Sequence, residues 1–222
     1  MSVTAGVSPA PIPPATIPTA TIPTGGLRER KKAQTREALG DAALELFNER
    51  GFEQTTVEDI AEACDVSPRT FFRYFRTKED VLFAESDERC GRLLTTMAAE
   101  PLGTAPLQAV LAGSLAVAMD YGAERDRLIV RKRVLASSPD LRASSAERQR
   151  GWEDAVVQLL TERAEARGDA ASGYELRLLA ATSLAALRVA LDEWLAAEEY
   201  GDLPAIVRDA FRRIGRGLDS SA

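Results

Sequence analysis

Histidine is missing from all 222 residues of this sequence. Its absence removes Ser-His-Asp and Cys-His nucleophile systems, in which an imidazole takes the proton, and every imidazole-ligated metal site. Cysteine is scarce as well. Cys64 and Cys90 lie 26 residues apart with no CxxC partner, which supports neither a zinc site nor a disulfide framework. Two such cysteines read as small buried apolar groups in a reducing compartment. Aromatic residues make up only 6% of the chain, and Ala and Leu lead the apolar 45%, a balance that favours helix over sheet. No apolar run reaches the roughly 18–20 residues that cross a bilayer, and no basic stretch followed by an apolar core opens the chain. The expectation is a cytoplasmic protein with no membrane partner, no metal and no cofactor.

Proline is concentrated rather than scarce. Residues 1–26 hold six of the eleven prolines and a tandem ATIPTATIPT, so a disordered, partly polyproline-II tail is expected there. From Leu27 onward the periodicity is helical. Leu39, Ala42, Ala43, Leu46 and Phe47 share one face, and Gly51 stops that helix. In TTVEDIAEAC (55–64) a threonine caps the next helix, Thr55 and Glu58 having capping-box spacing, with Val57, Ile60, Ala61 and Cys64 as the buried stripe. Asp65 and Val66 turn the chain. Ser67 caps a further helix with Pro68 in its first turn, where a missing N–H costs nothing. Thr77 and Asp80 open another capped helix that runs to about Ala99. Beyond Pro101, helices read over 106–121, 124–136, 140–167, 174–199 and 204–217, punctuated by Pro106, Pro139, Gly168, Gly201 and Pro204. Nine helices and no convincing strand predict an all-α protein.

One stretch breaks with the chain's acidic balance. The formal charge is −6 overall and −2 over residues 28–83, yet 67–78 carries Arg69, Arg73, Arg76 and Lys78 with no acid between. On a helical wheel Arg69, Arg73 and Arg76 fall within about 60° of one another, flanked by Thr70 and Phe72. Phe71 and Phe75 lie opposite and anchor the helix to a core. A serine-capped helix preceded by a helix and a tight turn is a helix-turn-helix, and its guanidinium face suits phosphates and guanine edges. A solvated charged face on an ordinary core helix is the plainer alternative. A second basic group, Arg28, Arg30, Lys31, Lys32 and Arg36 against Glu29 and Glu37, sits where the tail meets the first helix. It reads as an arm along the DNA backbone or minor groove, or simply as a solubilising segment.

LFNERGFEQTTVEDIAEACDVSPRTFFRYFRTKEDVL (46–82) resembles the DNA-binding domain of the TetR family of bacterial transcriptional regulators. The resemblance implies a three-helix reading domain over 27–83 and a larger helical ligand-binding and dimerisation domain over 84–218, with a short tail at 219–222. It places Thr56, Ser67, Tyr74 and Lys78, with Arg73 beside them, on phosphate-gripping positions. Pro68, Arg69, Thr70 and Phe72 fall on positions facing base edges in the major groove. Cys64 and Asp65 stand where the family commonly has Ala-Gly, so Asp65 is expected to take the left-handed conformation in glycine's place. Phe72 replaces a common tyrosine and loses a hydroxyl donor. VLASSPDLRA (134–143) and the arrangement running from Trp152 to Leu195 resemble the branch that includes mycofactocin-locus regulators and others with acyl-CoA-like ligands.

The partners implied are double-stranded DNA, a second copy of the chain and a small effector. Residues 174–199 are apolar over more than one face, so a homodimer through Leu187, Leu191 and Trp194 is expected, with Arg188 paired to Asp192 at i+4. An effector pocket is expected among the fourth to eighth helices. Arg131, Lys132 and Arg133 either meet an anionic head group or form a solvated surface, and Trp152 is either a ligand platform or packing. The function implied is a repressor that a small hydrophobic or acyl-CoA-like effector releases from a palindromic operator, and not an enzyme. The rivals are an all-α acyl- or isoprenoid-binding protein or enzyme, for which no DDxxD or ExxH cluster is present, and a helical module that no longer binds DNA.

Overall fold

The computed structural model describes residues 26–121, 124–197 and 201–217. The proline-rich segment 1–25 and the 219–222 tail lie outside the described residues. Nine helices and no strand occur among those described. They are α1 (Leu27–Arg50), α2 (Val57–Ala63), α3 (Pro68–Phe72), α4 (Lys78–Ala99), α5 (Pro106–Tyr121), α6 (Arg125–Ser137), α7 (Pro139–Arg167), α8 (Gly173–Ala196) and α9 (Leu203–Gly215).

Local chemistry sets the boundaries of the first four. Gly51, at φ 88°, ends α1 and donates its N–H to Phe47 O. The cap of α2 differs from the expectation by one residue. Thr56, not Thr55, accepts the N–H of Asp59, whose carboxylate in turn accepts the Thr56 N–H. Thr55 is fully buried and donates its hydroxyl to Gly51 O and Leu46 O, tying the turn to the end of α1. Asp65 adopts φ 52°, alone among the described non-glycine residues in having a positive φ. Ser67 caps α3 through the Thr70 N–H with Pro68 at the first turn, and Thr77 and Asp80 form a reciprocal box at the head of α4.

Packing divides into two apolar clusters. The first joins α1, α2 and α3 to Val81, Leu82 and Phe83 of α4, and it extends to Val134 of α6 and Leu141 of α7. The reading domain therefore shares its core with the larger body. The expected boundary at 83/84 falls inside α4, one uninterrupted helix that serves both sides. Phe71 is fully buried in this cluster, and a side chain of that size contributes about 1.5–3 kcal/mol. The second cluster unites α4, α5, α7, α8 and α9, with Met97, Val110, Val156, Ala180 and Val207 fully buried. Gly113 lets α5 approach α4 closely, since a Cβ there would lie 2.7 Å from Leu93 O. Arg163 of α7 donates to Met97 O, Glu100 O and Pro101 O, satisfying the carbonyls that α4 leaves unpaired at its end.

Leu187 and Trp194 correct the expected dimer face. Both are buried within the protomer, and the Trp194 indole donates to Gly201 O, while Leu191 faces a cavity instead of solvent. The helix is indeed apolar on two sides, but these residues occupy the inner one. Its outward apolar residues are Tyr174, Leu178 and Val189.

Candidate nucleic-acid interface and effector cavity

Helix α3 carries the reading face. Pro68, Arg69 and Phe72 are exposed, Phe72 by 54%, and the Phe72 ring stands edge-on to buried Phe71 at 5.6 Å. An apolar ring so placed is held by its base and presented by its tip. Thr70 shares a hydroxyl contact of 3.1 Å with Ser67. Arg69 makes no ion pair among the described residues, so its five donors remain available. Arg73 follows the last residue of α3, donates to Tyr74 Oη at 3.1 Å and lies over that ring. Arg76 is not on the helix, contrary to the wheel. The helix closes with Arg73 as its αR cap and the Phe75 N–H donating to Phe71 O, and beyond it the Arg76 backbone N–H donates to Asp80. Thr56 is exposed at the head of α2 beside this face.

Lys78 has a different occupation from the one its motif position suggested. Its ammonium donates to Phe52 O at 2.6 Å and Thr55 O at 2.9 Å, and sits 4.4 Å from the Phe52 ring centroid. It clamps the 52–55 turn against α4. Arg28, Arg30, Lys31 and Lys32 are exposed on the first turns of α1 and form no ion pairs among the described residues. Arg36, one turn on, pairs with Glu88 and covers Phe75, linking α1 to α4.

A cavity of about 310 Å³ opens between α4, α6, α7 and α8, with Tyr121 of α5 in its wall. Leu128, Trp152, Leu184, Leu187 and Leu191 give it an apolar lining. Five cations line it as well, Arg89, Arg131, Lys132, Arg148 and Arg188, against one acid, Asp192. Lys132 bonds to Asp192 at 2.8 Å, and Arg188 reaches the same carboxylate at 3.8 Å, the pairing expected from the i+4 spacing. Arg131 and Trp152 therefore belong to the cavity. Arg133 does not: it donates to Asn48 of α1 on the other side of α6. Successive helical residues point about 100° apart, so a run of three basic residues cannot all face one cavity.

Behind the cavity lies a cluster that the sequence reading missed. Glu85 of α4 meets Arg131 at 2.7 Å, Arg127 at 2.8 Å and Arg89 at 3.1 Å. Arg89 also pairs with Glu124 at 2.6 Å and lies over the Tyr121 ring, while Arg127 reaches Asp41 of α1 at 2.9 Å. Burial alone would raise the Glu85 carboxyl, but the charges of Arg131, Arg127 and Arg89 outweigh it and hold the group below its ordinary value. Burial lowers the Arg131 pKa against the opposing pull of Glu85. One acid–base pair at i,i+4, Glu85 with Arg89, and two arginines at the same spacing, Arg127 and Arg131, were the legible trace of this cluster. The thiols are apart from it: burial pushes Cys90 up to about 11 and Cys64 upward, so neither is a nucleophile at neutral pH.

A capped reading helix fixed to a cavity-bearing helical body defines the class: a helix-turn-helix regulator of transcription. Residues 39–84 match the family described as bacterial regulatory proteins, tetR family, and residues 104–219 match the MftR C-terminal domain. The HTH-type transcriptional regulator TcmR of Streptomyces glaucescens is 34% identical over 178 residues, 76% of each chain. MftR of Mycobacterium tuberculosis is 27% identical over 190 residues, 86% of this chain and 94% of its own. Among solved structures, the fatty acid degradation regulator FadR from Bacillus halodurans superposes with a TM-score of 0.60 at 25% identity, covering 83% of this chain and 96% of that one. Thermus thermophilus FadR in complex with lauroyl-CoA gives 0.55 at 25% identity, with 84% and 96% covered. The chain belongs to the TetR family of bacterial transcriptional regulators, as its 46–82 segment implied.

Proposed function

We propose that the chain is a cytoplasmic, homodimeric repressor. An amphipathic effector of the hydrophobic or acyl-CoA type enters the α4–α8 cavity and releases it from a palindromic operator. The observation that carries this reading is the position of α4. Its first turn follows the reading helix directly, and Leu82, Phe83, Ser86 and Arg89 of the same helix line the cavity. A ligand that moves this wall moves the head. By linkage, the factor by which an effector lowers DNA affinity is the factor by which DNA lowers effector affinity, commonly about 5–150-fold. The Thermus thermophilus relative, solved with lauroyl-CoA, supports the effector class.

In this reading Pro68, Arg69, Thr70 and Phe72 meet base edges, and Phe72 supplies apolar contact suited to a thymine methyl. Thr56, Ser67, Arg73 and Tyr74 meet phosphates, with Arg28, Arg30, Lys31 and Lys32 along the adjoining backbone. Lys78 acts indirectly, by holding the 52–55 turn. Half-exposed Lys132 and Arg188 at the cavity rim suit the phosphates of a CoA.

The test is the salt dependence of binding to a duplex recovered by in vitro selection. Neutralising Arg69 and Arg73 together should weaken binding and flatten the logarithmic slope by about 0.9 per lost phosphate contact. An unchanged affinity and slope in the double variant would sink the reading head and favour a helical module without DNA binding.

A further inference from the structure

We infer that the effector carries a free acid group of its own into the cavity, where Arg131 binds it in competition with Glu85. The inference rests on the proposal that an amphiphile occupies this cavity, and it narrows that amphiphile to a carboxylic acid.

Arg131 is the focus because it is both buried and incompletely satisfied. Its side chain is only 9% exposed, it lines the cavity, and its Nε has no hydrogen-bond partner among the described residues. A buried donor left unpaired is costly, and a buried guanidinium more so. Its Nη2 group has a partner, but a shared one: Glu85 Oε2 accepts from Arg131 at 2.7 Å and from Arg89 at 3.1 Å. Glu85 Oε1 is engaged by Arg127. One carboxylate thus serves three guanidiniums, and two of them, Arg89 and Arg131, face the cavity.

A neutral ligand would leave this arrangement as it is, with the buried Arg131 Nε still without a partner. A carboxylate would give Arg131 a second, charge-assisted acceptor. The apolar remainder of the molecule would lie against Leu128, Trp152, Leu184 and Leu187. At about 310 Å³ the cavity is at the small end of ligand pockets, which suits a compact acid better than a whole CoA conjugate. Exchange of Glu85 for the ligand's acid is also felt at the joint with α1. Glu85 is a residue of α4, and Arg127, its other partner, holds Asp41.

The experiment uses the full chain and three probes of matched chain length: dodecanoate, dodecan-1-ol and lauroyl-CoA. Binding is read from tryptophan fluorescence, since one of the two tryptophans, Trp152, lines the cavity. Below micellar concentrations, dodecanoate should bind the wild type at least about tenfold more tightly than dodecanol, the worth of one charge-assisted hydrogen bond. Arg131→Gln should bring the two affinities together, and Arg131→Lys should restore most of the preference. Equal binding of acid and alcohol to the wild type overturns the inference, and that comparison stands even if Arg131→Gln fails to fold. A preference that survives in folded Arg131→Gln overturns it too, as does binding of lauroyl-CoA alone. These results leave the amphiphile reading intact. Failure of all three probes to bind overturns both.

Discussion

Arg148 Nη2 lies 3.6 Å from Asp80 Oδ1, joining the cavity wall of α7 to the cap of α4. The other oxygen of Asp80 accepts the backbone N–H groups of Arg76 and Thr77, the two residues that link the reading segment to α4. The Arg148 guanidinium also covers Phe83 at 4.4 Å and pairs with Asp87 at 2.9 Å. Three contacts of one side chain therefore run from the cavity to the hinge beneath α3. Arg148→Gln should leave the fold and the DNA affinity of the free protein nearly unchanged, because Asp80 keeps its capping role. It should cut the effector's influence on DNA binding, which commonly amounts to about 5–150-fold, to within roughly threefold. Titrating lauroyl-CoA or dodecanoate into the protein–duplex complex, wild type against variant, reads this directly. Full coupling in the variant would leave Glu85 as the link.

The three contacts of Arg148 with α4 cross between helices, which is where sequence reading stopped. Ser67, Pro68, Asp65 and Thr77 were legible because caps and turns are satisfied within four residues, so local chemistry names them. Thr55 and Thr56 were not distinguishable on those grounds, since each has an acid three residues on. The choice was made by tertiary packing, which buries Thr55 under the end of α1. The same holds for Leu187 and Trp194: periodicity showed that α8 is apolar on two sides, but not which residues the protomer itself would claim. Arg133 was grouped with Arg131 because they are close in sequence, and helical rotation separates them. Of the partners of Glu85, only Arg89 lies on its own helix; Arg127 and Arg131 come from α6, and no spacing in the sequence brings them to it.

Two glycines in helix interiors should respond oppositely to alanine. At Gly113 a Cβ would lie 2.7 Å from Leu93 O and 2.9 Å from Met97 Cγ, and a backbone oxygen cannot move aside without separating α4 from α5. Gly113→Ala should lose about 1–3 kcal/mol. At Gly151 on α7 nothing lies within 4 Å of such a Cβ. Gly151→Ala should gain about 0.5–1 kcal/mol, because glycine carries an entropic penalty in a helix. Urea unfolding of both variants checks the signs, and a stable Gly113→Ala would contradict the close α4–α5 approach.

Glu85 should control the acid limit of stability. Its carboxyl sits below the ordinary value of 4.5 in the folded chain, where Arg131, Arg127 and Arg89 surround it. A depressed carboxylate contributes stability that is fully present above the ordinary value and fades as pH falls through the lower folded one. Glu85→Gln should therefore cost about 3 kcal/mol at pH 7, the usual loss when one partner of a buried ion cluster is removed. The gap between wild type and variant should narrow below pH 4.5. Denaturant titrations at pH 7 and at successive steps below that value give both numbers. A gap that stays constant across the acid range would show that the cluster does not depend on the ionised carboxylate.

Tyr174, Leu178 and Val189 make the outward side of α8 the place to look for the dimer contact. They are 66%, 54% and 49% exposed, and they align along one face with Ala181 and Ala185 between them. Small residues there allow a second helix to approach, and the larger ones supply area to bury. Leu178 and Val189 are each about half exposed in the protomer, so four copies across a twofold axis contribute roughly 3 kcal/mol, about two decades in Kd. Leu178→Glu with Val189→Glu removes that and sets like charges against one another. The double variant should sediment as a monomer with an unchanged helical spectrum. Its hold on a palindromic duplex should fall much further than its hold on a single half-site, because only the paired form engages both halves at once. A variant that stays dimeric would place the contact elsewhere, with the basic outer face of α9, at Arg208, Arg212 and Arg216, as the next surface to neutralise.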